Sequence, residues 1–156
     1  MRSAGILRSA GILLWRRGDA GLEVFIAHMG GPFWARKDAA AWSIPKGEFL
    51  PDEDALLAAR REFFEEIGVP APDLDYVELG EFRQSSGKVV IAFAAESDFT
   101  VAEVSSNTFR VEWPPRSGRI QEFPEIDRAE WMPLADAEWR LVKGQVPLLE
   151  ALGSLV

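Results

Sequence analysis

The sequence predicts an α+β fold in which helices pack against a mixed β-sheet, with residues 1–156 forming one domain. Three observations predict it. Strand-like runs come in pairs before and after a central amphipathic segment, and helix-forming sequence returns at the C-terminus. The third is size: 156 residues, 47% apolar and 27% charged, can bury a proper core within one domain.

The tandem echo SAGIL at Ser3–Leu7 and Ser9–Leu13 is too short for a structural repeat, and it leaves the start of the first strand open by about one copy. A strand is expected over Ala10–Trp15, a turn over Arg16–Gly21, and the partner strand of a hairpin over Leu22–Met29. Gly30–Ala41 reads as a loop, and Ser43–Ile44 as a short buried strand stiffened by Pro45. The central helix should begin at Pro51-Asp52, with Asp52 as N-cap and acidic residues in its first turn. Gly68 should close it in a left-handed conformation. Around this helix Leu56, Ala59, Phe63 and Ile67 form an apolar face that Leu57 and Phe64 widen, and Glu62, Glu65 and Glu66 share the other flank. Strands are expected over Tyr76–Arg83 and Val89–Glu96, joined by a turn at Ser85–Lys88, and over Phe109–Trp113. Asp98–Asn107 and Arg116–Arg128 read as connections, Ala129–Met132 as a strand, and Ala135–Lys143 and Pro147–Leu152 as helices.

Composition excludes several chemistries. With no cysteine and one histidine, His28, the chain cannot build thiolate or polyhistidine metal sites or a Cys–His nucleophile. His28 is therefore read as structural. A net charge of −8 argues against a broad grip on duplex nucleic acid, though not against a small phosphorylated substrate. No apolar run approaches the roughly 20 residues of a membrane span, and the N-terminus suits a strand better than a signal peptide. A cytoplasmic location is expected.

The chemistry concentrates between Gly47 and Val69. Glu62 and Glu66, at i and i+4, repel one another by a few tenths of a kcal/mol in an isolated helix. A hard divalent cation offsets such a cluster, because Mg2+ and Mn2+ favour carboxylate oxygens. The order is Gly47, five residues, Glu53, seven residues, Arg61-Glu62, an apolar Phe63, one residue, Glu65-Glu66, one residue, Gly68 and an apolar Val69. These nine positions over twenty-three residues resemble the Nudix box at every fixed point.

That resemblance implies an α/β/α sandwich and a pyrophosphohydrolase that uses Mg2+ or Mn2+ to cleave nucleoside diphosphates linked to another group. By the same resemblance Glu62 and Glu66 are the firmest metal ligands, and Glu65 is a ligand or base. The Gly47 carbonyl is a further candidate ligand. Glu53 and Arg61, which the helical wheel sets off the carboxylate flank, mainly shape the loop–helix–loop. The approach WSIPKG resembles that of Nudix members cleaving dinucleoside polyphosphates, with Lys46 as a point charge for phosphate. Phe33 and Trp34, beside Arg36 and Lys37, offer a stacking surface for a base with cations nearby; the competing reading packs both rings against the core. Glu122 and Glu125 are candidate bases outside the box. A binding module that keeps this fold without turnover is the rival class, but its usual mark, a lost box glutamate, is missing here. Neither the group attached to the nucleoside diphosphate nor the oligomeric state is legible in the sequence.

Overall fold

In the computed structural model, residues 8–84 and 86–156 are described. The first SAGIL copy, Ser3–Leu7, and Ser85 of the expected turn lie outside them. β1 (Arg8–Gly18) and β2 (Gly21–Met29) form the first hairpin, both longer than expected, so only Asp19-Ala20 turn between them. β3 (Trp42–Ser43) and β4 (Lys46–Glu48) follow, then α1 (Ala55–Ile67), β5 (Val77–Arg83) and β6 (Val89–Glu96). β7 (Thr108–Glu112), β8 (Ile120–Pro124) and β9 (Ile126–Pro133) precede α2 (Leu134–Arg140) and α3 (Pro147–Leu155).

The main sheet runs β3-β2-β1-β6-β5, with β4 on β1 and β9 on β2. β1 and β6 are parallel and the other pairs antiparallel, so the sheet is mixed. β1 pairs β2 over Leu14–Gly18 but pairs β4 over Ser9–Gly11, while β2 turns to β3 at Ala27-His28. The two strands thus splay, and the segment carrying Lys46 and Gly47 enters between them.

Alternation along β1 decides the layers. Ala10, Ile12 and Leu14 point to one side with Phe25, Ile91 and Phe93, where Phe63 and Ile67 of α1 cover them. Leu13 and Trp15 point to the other with Val24, Ile26 and Val90, under Leu148 and Leu152 of α3. Helices therefore cover both faces, the α/β/α sandwich expected from the resemblance.

Four sequence expectations change. The N-cap of α1 is Asp54, whose carboxylate accepts from the Leu57 N–H at 3.0 Å, and the acidic residues precede the helix instead of filling its first turn. The reason is Glu53, which folds back to accept from the Leu50 N–H and holds residues 51–53 in a turn. Leu57 and Phe64 are 67% and 51% exposed. The buried arc of α1 instead runs through Ala58 toward the carboxylates, because β4 closes over that flank. Within residues 116–128, expected as a loop, β8 pairs β7 in a separate two-stranded ribbon and β9 begins at Ile126. The run IQEFP is exposed on nearly every residue, so it carries no burial pattern to announce a strand. Finally, α2 ends at Arg140, because Leu141 bridges to Trp42 and the Val142 N–H donates to the Trp42 carbonyl, leaving Lys143 in a 3-10 turn.

Candidate active site

The site is assembled around the C-terminal half of α1. At its C-terminus Gly68 is left-handed, φ 97°, and donates to the Phe64 carbonyl. A Cβ there would stand 2.7 Å from the Ser105 carbonyl oxygen. Two further carbonyls are satisfied from the 98–107 connection: Ser105 N–H donates to Ile67 and Asn107 N–H to Glu65, at 3.0 and 2.8 Å. Glu125 N–H then donates to the Asn107 carbonyl at 2.9 Å, and Ile126 N–H to Ser106 Oγ. A connection without sequence periodicity thus fixes the β8–β9 corner against the helix end and brings Glu125 to the glutamates.

Near the same end Glu66 lies beneath β4, accepting the Lys46 N–H at 3.1 Å. A Cβ on Gly47 would overlap the Glu62 carboxylate, so any larger residue there would displace that side chain. Arg61 reaches further than the helical wheel implies. It pairs with Glu53, donates to Glu62 Oε2 at 3.1 Å and to the Glu48 carbonyl at 3.3 Å, and lies 3.9 Å from Glu65. It therefore braces the carboxylate row as well as the loop.

Glu66, Lys46, Trp34, Phe109 and Glu125 line one cleft of about 220 Å3. Burial pushes the Glu66 carboxyl up to about 8, against the opposing pull of the Lys46 N–H and ammonium; Glu125 and Glu62 repel it further. Burial also raises Glu62, with Arg61 opposing and Glu65 adding, and raises Glu125, with Glu65 adding. Burial lowers Lys46, while Glu66 holds its charge. The Leu50 N–H and then Arg61 hold Glu53 below its ordinary range.

Four carboxylates that repel one another, all with oxygen donors, fit a hard divalent cation. Among the described residues no three acidic or histidine side chains already converge as a cage, so these glutamates would turn to meet an ion.

The structure separates the other candidates. Trp34 lines the glutamate cleft and also packs on the core, so the packing leaves part of the ring facing the cleft. Phe33 and Arg36 face a different cleft with Trp113. Glu122 is exposed on β8 opposite Arg110 and does not line the glutamate cleft. His28 is wholly buried, its ring nitrogens 2.8 Å from Asp127 and 2.7 Å from the Lys37 carbonyl, a strut between the 31–37 loop and β9. Phe109 and Gly30 escape sequence reasoning. Their signal was the glycine pair 30–31, needed because a Cβ on Gly30 would strike the Pro124 carbonyl and one on Gly31 the Phe109 ring.

The sequence model of the NUDIX domain matches residues 5–152. The chain belongs to the Nudix hydrolase family. Among solved structures, this Nudix chain is similar to an Ap4A hydrolase from C. elegans in a binary complex, with TM-score 0.67 and 20% identity over 94% of this chain and 96% of that one. It is also similar to the NUDIX domain of Shewanella oneidensis NrtR complexed with ADP ribose, with TM-score 0.64 and 18% identity over 98% and 90%. A MutT protein from Methanosarcina mazei Go1 superposes with TM-score 0.61 and 18% identity over 99% and 98%. At these identities the likeness is one of fold.

Proposed function

We propose that this Nudix chain cleaves a pyrophosphate linkage in a dinucleoside polyphosphate, such as diadenosine tetraphosphate. The observation that carries this reading is the single cleft in which Glu66, Lys46, Trp34 and Glu125 meet. A Mg2+ (or Mn2+) held by Glu62, Glu65 and Glu66, with the Gly47 carbonyl as a further ligand, would neutralise charge at phosphorus and acidify a bound water. The chain's own residues do the rest. Lys46 offers an ammonium to the phosphate chain, Trp34 offers a flat face to a base, and Arg61 holds Glu62 in place. Glu65 or Glu125 takes the proton of the attacking water. The partner is a small nucleotide, with no role for duplex nucleic acid. Among the described residues no helix is long and apolar enough to cross a membrane.

Two features support the substrate class: Lys46 directly before the box glycine, and the similarity to Ap4A hydrolase. The similarity to an ADP ribose complex keeps nucleotide-sugar cleavage as the second reading. The test is kcat/KM for diadenosine tetraphosphate, ATP and ADP-ribose with and without Mg2+, with product masses. Preference for the first, lost in EDTA, is expected. Preference for either of the others removes the substrate assignment, and ligand binding unaltered by EDTA with no product would instead indicate a sensing module.

A further inference from the structure

Residues 31–37 form a ridge between two clefts. Trp34 faces the glutamate cleft; Phe33, Arg36 and Lys37 face the other, of about 450 Å3, whose far wall is Trp113 just beyond β7. Phe33 and Trp113 meet edge to face with centroids 5.2 Å apart, and Phe33 is 57% exposed. A ring so exposed contributes little to the core, and its partner is another surface aromatic. The Lys37 ammonium lies 5.4 Å over the Trp34 ring, so one cation spans the ridge. Among the described residues neither Arg36 nor Lys37 pairs with a carboxylate, in a chain of net charge −8. Two aromatics and two unpaired cations at one place suit a flat base joined to phosphate.

We infer that this second cleft binds the far nucleoside of a dinucleoside polyphosphate. Its base lies against Trp113 and Phe33, and Arg36 and Lys37 hold the phosphates that cross the ridge from the glutamate cleft. The inference rests on the dinucleoside polyphosphate reading above and adds the residues that read the second nucleoside. It makes Trp113 a specificity residue that touches substrate away from the bond cleaved.

The experiment compares kcat/KM for diadenosine tetraphosphate with that for adenosine 5′-tetraphosphate, which has the same phosphate chain and no far nucleoside. The wild-type protein should prefer the former. Trp113→Ala should cut that preference about ten-fold, the scale of one lost base stack. Trp113→Phe should restore most of it, and Arg36→Ala should reduce it. Phe33→Ala gives the same readout should Trp113→Ala lower the melting temperature. A wild-type preference that persists in Trp113→Ala, Phe33→Ala and Arg36→Ala overturns this inference and leaves the proposed function standing. Absence of the preference in the wild-type protein also overturns this inference, whereas the proposed function falls only if ATP or ADP-ribose is preferred to diadenosine tetraphosphate.

Discussion

Burial and then the like charge of Glu65 raise the proton affinity of Glu125, which lines the cleft beside the end of α1. Glu65 and Glu125 are the proposed bases, whereas Glu122 lies on the outer ribbon and does not line the cleft. The matching amide keeps each shape and removes basicity. One of Glu65→Gln and Glu125→Gln should therefore lose roughly 10²-fold or more in kcat, and Glu122→Gln should change it less than two-fold. Steady-state kinetics at saturating Mg2+ checks this, and a large loss in Glu122→Gln would show that the ribbon closes over the substrate. At this scale the sequence was most informative where partners are near in the chain. The box glutamates and Arg61 lie on or beside α1, and Lys46 and Gly47 on β4 just before it, so all fall in one short stretch whose pattern resembles the Nudix box. Trp113 was hidden because its partner, Phe33, is reached only through the path of β7 and β8. Arg61 was half read, since a helical wheel gives the direction of Cβ and not the reach of a guanidinium.

At the scale of elements, α1 is held by a cap two residues later than the expected Asp52. Asp54→Ala should cost about 1 kcal/mol, the usual worth of such a cap, and lower the melting temperature by about 2–4 °C. Asp52→Ala should leave it within error, and the reverse order would restore the earlier start. The 31–41 loop is tied down by Asp38. Its carboxylate accepts from the Trp42 indole N–H at 2.7 Å and pairs with Arg140 at 3.3 Å. The Trp42 hydrogen bond, followed by Arg140 and Arg128, holds Asp38 below its ordinary 3.8 despite partial burial. A depressed carboxylate stabilises the fold above its unfolded value, and that stability is lost as pH falls through the folded one. The melting temperature of Asp38→Asn should therefore lie below that of the wild-type protein at pH 6. The gap should narrow as pH falls below 3.8, and a constant gap down to pH 3 would assign Asp38 no such role. β6, a continuous apolar run buried on both faces, was legible to the residue. β8 was not, because a two-stranded ribbon exposed to solvent imposes no pattern on its residues.

Across the whole molecule, the splayed β1 and β2 admit Lys46-Gly47 over the helix, and the 98–107 connection draws the β8–β9 corner against the helix end. Both movements bury carboxylates that repel one another, an arrangement that makes sense as a site for a cation. The layered fold could be anticipated from the box and the alternation of strands, whereas the second cleft depends on how the outer ribbon lies on the 31–37 loop. Glu66 is the most deeply placed of these carboxylates. Because burial pushes it up to about 8, it holds a proton near neutral pH in the absence of a cation, and an amide should replace it without loss of fold. The deciding measurement is kcat for diadenosine tetraphosphate by Glu66→Gln at saturating Mg2+, with melting temperature as the control. The expected result is a melting temperature at or above that of the wild-type protein and turnover reduced to background. Near-wild-type kcat in the folded variant would contradict the assignment of this cleft as the catalytic site.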